Sequence, residues 1–310
     1  MNNKFYNWLL FVLLCLIWGS SFILMKWGLY DKAGQPVLSA YQVAALRMLT
    51  AGMIMLPFVF QTLKKVPRRL FGYILLSGWL GSFFPAFLFC IAETKIGGAL
   101  AGSLNSLTPL FVVITGAVFF GILTSLQKIL GVIAGLAGTS LLIYANVDRT
   151  PEYIAYTGFV VAATILYGIN VNMVHSKLKG VSSVQIAAIA FTGLIPASLL
   201  VLFFTGYFDL PLAESAYTLS TLASSMLGIV GTALASIIFY VMVKRAGGLF
   251  ASLVTYGIPF VAIGWGIYYG EKIMPLQVVA LLVILLGVYL ANRSVKQLPK
   301  DETVEPPVVD

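Results

Sequence analysis

Apolar residues in this chain come in long runs, and the polar residues between them form short connections. The runs fall at about 8–29, 37–60, 70–91, 98–120, 127–145, 154–173, 184–206, 217–242, 249–270 and 275–292. Each is close to the roughly 20 apolar residues that a helix needs to cross the hydrocarbon layer. The pattern predicts ten transmembrane helices, with no connection long enough for a soluble domain. Trp8 to Met25 has the length of a secretory signal core. No small-residue cleavage site follows it and Lys26-Trp27 continues the run, so it counts as the first span. The stretch 293–310 holds Lys, Asp, Glu and three Pro, cannot bury a core, and reads as a disordered cytoplasmic tail.

The runs also repeat. A shift of 150 positions lays Gly97-Gly98 on Gly247-Gly248, Ala101 on Ala251, Pro109 on Pro259 and Gly116 on Gly266. Leu126-Gln127 falls on Leu276-Gln277, and the register extends to Gly78/Gly228, Gly81/Gly231, Phe89/Phe239 and Leu136/Leu286. An ordered, gapless set of pairs marks a duplication, with one copy over 1–148 and the second over 149–292. Five spans per copy is an odd number, so the second copy enters the membrane from the opposite side. The expected fold is an all-α integral membrane protein of ten transmembrane helices in two inverted five-helix repeats. Transporters built this way hold substrate between the halves near the bilayer midplane.

Composition agrees. Of 310 residues only 10% are charged and 60% are hydrophobic, against about 25% charged in soluble domains. Such a surface must face lipid. The formal charge of +8 follows from topology. With the N-terminus inside, thirteen cations fall on inner segments: Lys4, Lys64, Lys65, Arg68, Arg69, Lys128, Lys177, Lys179, Lys244, Arg245, Arg293, Lys296 and Lys300. Four fall outside: Lys32, Lys95, Arg149 and Lys272. The bias places both termini in the cytoplasm. It fits contact with anionic lipid better than nucleic-acid binding. Cys15 and Cys90 sit inside apolar runs and suggest neither a disulfide framework nor a metal site. No cofactor is expected.

Few residues offer chemistry. Arg47 lies near the middle of the second run, where an arginine costs roughly 2.5–3.5 kcal/mol on insertion scales. It must face the bundle interior, either as an anchor for an anionic group of a substrate or as a structural residue bonded to carbonyls. No acid lies deep in any run to pair with it. Pro109 and Pro259 lie within the fourth and ninth runs. Each removes a backbone donor, giving either a gating bend or a fixed packing kink. Asn105 and Thr108 in one copy, and Thr255 and Tyr256 in the other, are at helical spacing from them. Trp18 and Ser21 share a face with Phe22 and Met25, and at an offset of 149 they match Tyr167 and Asn170. Paired aromatics beside polar groups suit an amphipathic ligand; packing between helices is the competing reading. Trp79, with Phe83 and Phe84, faces either the cavity or lipid. Gly131 and Gly135 form a small-xxx-small pair for a close helix contact, within the chain or between two copies of it. His175, the only histidine, and Glu93 and Glu271 read as rim residues. Without a carboxylate relay inside the membrane, proton coupling has little support.

These residues resemble the EamA-type members of the drug/metabolite transporter superfamily over about 8–292. The resemblance rests on Trp18-Gly19-Ser20-Ser21-Phe22 with Lys26, on Arg47 after Ala44-Ala45-Leu46, and on Thr108-Pro109. It rests also on Gly270-Glu271 followed by Leu276-Gln277 and Gly287. It implies a central cavity formed mainly by helices 1, 3, 4, 6, 8 and 9, and export of small metabolites such as amino acids across the bacterial cytoplasmic membrane. One departure stands out. The family's Gly-Glu after the ninth helix often recurs after the fourth, but here Gly121 occupies the position matching Glu271.

The leading function class is thus a transporter working by alternating access on a small-molecule substrate, with lipid around it, as a monomer or homodimer. Its candidate substrate contacts are Trp18, Ser21, Arg47, Trp79, Asn105, Thr108, Tyr167, Asn170 and Tyr256, with Pro109 and Pro259 as gating residues. The alternative is a non-transporting structural or receptor subunit, which needs neither duplicated prolines nor a polar cavity. An intramembrane enzyme lacks its parts: there is no HExxH, no deep acid pair, and the one histidine lies at a run's end. Topology is directly testable. Reporter fusions should place both termini and the Lys64–Arg69 connection in the cytoplasm and residues 148–152 outside; termini on opposite sides would break the ten-span count.

Overall fold

The computed structural model describes residues 3–122, 125–145, 150–252 and 254–292. Apart from one isolated bridge between Tyr30 and Pro36, the regular structure of the described residues is helical. The helical runs are α1 (Phe5–Leu29), α2 (Ala40–Leu63), α3 (Arg68–Ala92), α4 (Gly98–Phe120), α5 (Leu126–Tyr144), α6 (Pro151–Lys177), α7 (Ser183–Phe204), α8 (Ser215–Met242), α9 (Val254–Tyr268) and α10 (Pro275–Leu290). Eight of them are long and apolar enough to cross a membrane, and α9 and α10 are shorter apolar helices. The helix at the end of α8 continues to Ser252, through Gly247-Gly248, where the run pattern starts a new element. Nothing there stops a helix: lysine and arginine are good helix formers, and each glycine costs only about 1 kcal/mol. The copy boundary at 148/149 and the tail 293–310 lie outside the described residues.

Helix starts are written locally. Ser39 with Gln42 and Ser182 with Gln185 form capping boxes at the starts of α2 and α7, satisfying two orphan donors at each. Ser125 and Thr150 cap α5 and α6. Three runs are interrupted: α1 at Ser20, α4 at Ser106-Leu107, and α7 at Leu194, ahead of Pro196. Two others contain π turns, Trp79–Phe83 in α3 and Ile229–Leu234 in α8. Their first residues are one repeat period apart.

The packing follows the duplication. α3 and α4 pack on α6, and correspondingly α8 and α9 pack on α1; α2 packs on α7, α4 on α9, and α5 on α10. Exchanging the halves maps each of these pairs onto another, or onto itself. The connection after α3 touches both the end of α1 and the start of α6: Tyr30 Oη donates to the Thr94 carbonyl at 3.1 Å, and Lys95 pairs with Glu152 at 2.9 Å. The core runs through the middle, where Leu14, Met48, Leu104, Leu107, Leu110 and Leu227 are fully buried. Phe119, Leu126, Phe204 and Tyr268 point outward, as expected of lipid-facing positions.

The small-residue pair resolves to an internal contact. A Cβ on Gly287 of α10 would collide with the backbone nitrogen of Gly135 and the carbonyl of Gly131 on α5. The two helices meet backbone to backbone, a close packing that supplies association energy where lipid offers no hydrophobic drive. Gly287→Leu should therefore separate α5 from α10 and sharply lower the yield of monodisperse protein in mild detergent. Wild-type yield and melting temperature would show that this contact contributes nothing.

Candidate functional site

The two π turns organise the interior. Gly81 in one and Gly231 in the other are glycines because something comes close. A Cβ at Gly81 would run into the Asn170 amide, and a Cβ at Gly231 would lie 3.0 Å from Ser21 Oγ. Asn170 and Ser21 are the repeat-matched polar residues of α6 and α1. A π turn shifts the helical bonding register, a feature frequent at functional sites, and here the Gly231 carbonyl accepts a hydrogen bond from Trp18 Nε1 at 3.1 Å. Asn170 is buried and its Oδ1 has no hydrogen-bond partner, while Ser21 Oγ donates to the Ile17 carbonyl.

Two aromatic pairs flank these contacts. Trp18 meets Phe239 with ring centroids 5.3 Å apart. Tyr167 stacks on Phe89 at 6.3 Å, and Phe22 meets Phe89 at 6.0 Å. Trp18 and Tyr167 match in the repeat register, as do Phe239 and Phe89, so the same contact is built twice, once across each half of the interface. Trp79 instead packs on Phe83 and Phe84 of its own helix, at 4.5 and 5.3 Å.

Arg47 of α2 reaches into this interface. Its Nε donates to Thr232 Oγ1 at 2.7 Å, and Thr232 donates in turn to the Leu227 carbonyl at 3.2 Å. The guanidinium is close enough to act electrostatically on Tyr167, Cys90 and Glu93. Among the described residues the carboxylate ion pair is Lys95–Glu152, and it does not involve Arg47. The arginine is held by a hydroxyl, whereas the sequence suggested backbone carbonyls or an anionic group of a substrate.

The prolines are not equivalent. Pro259 lies inside α9. Pro109 sits in the first turn of a new helical segment, after α4 has broken at Ser106-Leu107. A proline there sacrifices no helical hydrogen bond. The Asn105 carbonyl, one turn earlier, accepts from Thr108 Oγ1 at 2.9 Å. Asn105 and Thr108 thus serve each other at the break. Tyr256 of α9 is half-buried against the main core.

At the end of the bundle where α3 and α9 finish lie the two acids expected at the rim, and one of them is buried. Glu93 is only 8% exposed, and its Oε1 has no hydrogen-bond partner. Burial, and then the charge of Glu271, push its carboxyl well above the usual carboxylate range, against the pull of Arg47 and Lys26. Glu271 accepts from the backbone N–H groups of Gly98 and Ala99, each at 3.2 Å. It borders a cavity of about 210 Å³ also lined by Gly97, Ser103, Tyr153 and Gln277.

Two further residues escaped the sequence reading. Thr232 had a signal, because Ser82 lies at the same register position and the hydroxyl recurs. Asn172 had none. It is buried and its Nδ2 donates to the Val112 carbonyl at 2.8 Å and Thr115 Oγ1 at 2.9 Å, tying α6 to α4. Glu93 was named as a rim residue, but its burial was hidden by its standing next to a polar connection. Thr232→Val keeps the shape of the side chain but strands the Arg47 Nε–H. It should destabilise the solubilised protein by roughly 1.5–3 kcal/mol, the worth of a hydrogen bond to a charged group, seen as a lower melting temperature; an unchanged melting temperature would show the bond to be idle.

The comparisons with known proteins follow this architecture. Among curated proteins none matches the chain significantly. A solved crystal structure of a protein superposes with a TM-score of 0.62 at 18% identity, covering 91% of this chain and 95% of its own. At that identity the likeness is one of fold alone. The model of the EamA-like transporter family matches twice, over residues 7–144 and 155–293, once per copy of the duplication. This multi-pass membrane protein therefore belongs to the EamA-like transporter family.

Proposed function

We propose that the chain exports small organic metabolites such as amino acids across the bacterial cytoplasmic membrane by alternating access. In this reading α9 and α10 complete ten spans, the two five-helix repeats are inverted, and both termini are cytoplasmic. The observation that carries it is the doubled aromatic contact around Arg47. Trp18–Phe239, between α1 and α8, and Phe89–Tyr167, between α3 and α6, are repeat-related, and Phe22 of α1 links them by its contact with Phe89. A rocking of one repeat against the other would remake the same contact on alternate sides. The aromatic faces suit the apolar body of a substrate, and the orphan Asn170 Oδ1 offers a polar acceptor.

Arg47 is the anchor in this scheme. A guanidinium carries five donors, and Thr232 takes only the one on Nε. The remaining fork suits a carboxylate held by two bonds. The break at Ser106-Leu107 and Pro259 in α9 supply the bending points.

The test is transport in proteoliposomes, with the substrate first identified by comparing spent medium of cells with and without the protein. Arg47→Lys keeps the charge but loses the fork. It should weaken substrate binding roughly tenfold or more, the loss of about 1.4 kcal/mol, while the melting temperature falls no further than in Thr232→Val, which loses the same Nε bond. Arg47→Gln should nearly abolish binding. If both variants fold poorly and whatever folds binds normally, Arg47 is structural. A wild-type protein that moves no metabolite in either assay points to the non-transporting reading.

A further inference from the structure

Two carboxylates stand at one end of the bundle, Glu93 at the end of α3 and Glu271 against Gly97 four residues further on; the transport scheme above uses neither, and in it this end is the outer one. Glu271, in the connection after α9, closes on the first turn of α4 through its bonds from the Gly98 and Ala99 N–H groups. A Cβ at Gly97 or Gly266 would lie under 3 Å from that carboxylate, so both glycines are needed to seat it. In the repeat register the matching residue at the other end is Gly121, which is left-handed (φ 63°) and has no carboxylate to offer. The duplicated scaffold carries this clasp in one copy only.

Glu93, at the end of α3, is buried with an unpartnered oxygen. Around it stand Glu271 from beyond α9, Arg47 from α2 and Lys26 from α1, with Cys90 on its own helix and Tyr30 at the end of α1. A carboxyl taken out of water without bonds to its charged form is least costly when neutral. A second charge beside Glu271 adds to that cost.

We propose that Glu93 is a proton-binding site that controls the Glu271 clasp. With the proton on Glu93, the clasp holds α4 and the outer end stays shut. Loss of the proton puts two negative charges side by side and releases α4. The sign follows from linkage. The clasped state presents the Glu271 charge to Glu93 and so holds the proton more tightly. That state is favoured at pH below the raised pKa of Glu93 and is lost as the pH rises through it. A proton tied to one access state is what lets a proton gradient drive a carrier. The proposal does not rest on Arg47 as a substrate anchor.

The test uses the full-length protein in lipid nanodiscs with protons as the only added ligand. As the pH is raised, infrared difference spectra should show the C=O stretch of a protonated, buried carboxyl disappearing well above the ordinary glutamate range. Glu93→Gln should delete that band. Glu271→Gln should keep it and move its midpoint to lower pH. Hydrogen exchange of the Gly98 and Ala99 amides, compared at one pH above the wild-type midpoint so that chemical exchange rates cancel, should be several-fold slower in Glu93→Gln than in wild type. A band that survives Glu93→Gln overturns the site. Equal exchange in the two proteins overturns its link to the clasp. If Glu93→Gln does not insert, the Glu271→Gln midpoint decides, and a midpoint that fails to fall overturns the proposal.

Discussion

A polar group in hydrocarbon has no water to fall back on, and most of this structure is a response to that. The backbone answers with helices, which satisfy their own N–H and C=O groups. Side-chain hydroxyls answer by bonding to the carbonyl three or four residues earlier, as Ser21, Thr50, Thr62, Thr115 and Thr139 do. The interior then holds polar residues without exposing them. What remains is a short set of groups that cannot be satisfied within their own helix: the Arg47 guanidinium, the Trp18 indole, the Asn172 amide and the two acids. All of these but Glu93 reach another helix; Glu93 Oε1, like Asn170 Oδ1, is buried among the described residues with no hydrogen-bond partner.

Glycine makes those reaches possible. Lipid tails are as apolar as leucine, so helices here gain little from burying apolar surface against one another and depend on close fit and hydrogen bonds. Gly28 meets Ser224, Gly81 meets Asn170 and Gly228 meets the Arg47 carbonyl. At each, removal of a Cβ lets a polar group or a backbone come within bonding range. The π turns add a second device, since they place Gly81 and Gly231 on widened segments of α3 and α8. Duplication then copies the devices together. This is why Ser21 on Gly231 and Asn170 on Gly81 look like one contact made twice.

Much of this was legible in the sequence, for reasons that differ by feature. The spans were visible because a hydrocarbon slab imposes a length on apolar runs. The duplication was visible because glycines and prolines, fixed by backbone geometry, keep their register when apolar residues drift. Trp18, Ser21, Tyr167 and Asn170 were visible through that same register. The partner of Arg47 was not. A hydroxyl on a helix far away in sequence has no local signature, and only its recurrence at Ser82 and Thr232 hinted at it. The break of α4 at Ser106-Leu107 was read as a kink at Pro109, because a proline looks the same whether it bends a helix or begins one. Glu93 was misplaced because nearness to a polar connection says nothing about what folds over it. Gly131 and Gly135 announced a close contact, but only the structure supplied Gly287 as the other side.

In the proposed alternating-access scheme, direction would come from the departures from symmetry. A perfectly duplicated carrier would be equally stable facing either way, and nothing in it would distinguish inside from outside. Here the copies differ where access is controlled. The chain turns through residues 93–97 before α4 begins at Gly98, but the corresponding Gly247-Gly248 lie within a helix continuing from α8. α4 is broken ahead of Pro109, while α9 encloses Pro259. Glu271 clasps one end, and Gly121 leaves the matching position bare. In such a carrier each difference would bias the equilibrium between access states by the free energy of a few hydrogen bonds, each worth about 1 kcal/mol net. Shifts of that size move a two-state population several-fold. In the proposed scheme the repeat would supply two states of similar energy, and these few unmatched residues would set which is occupied at rest.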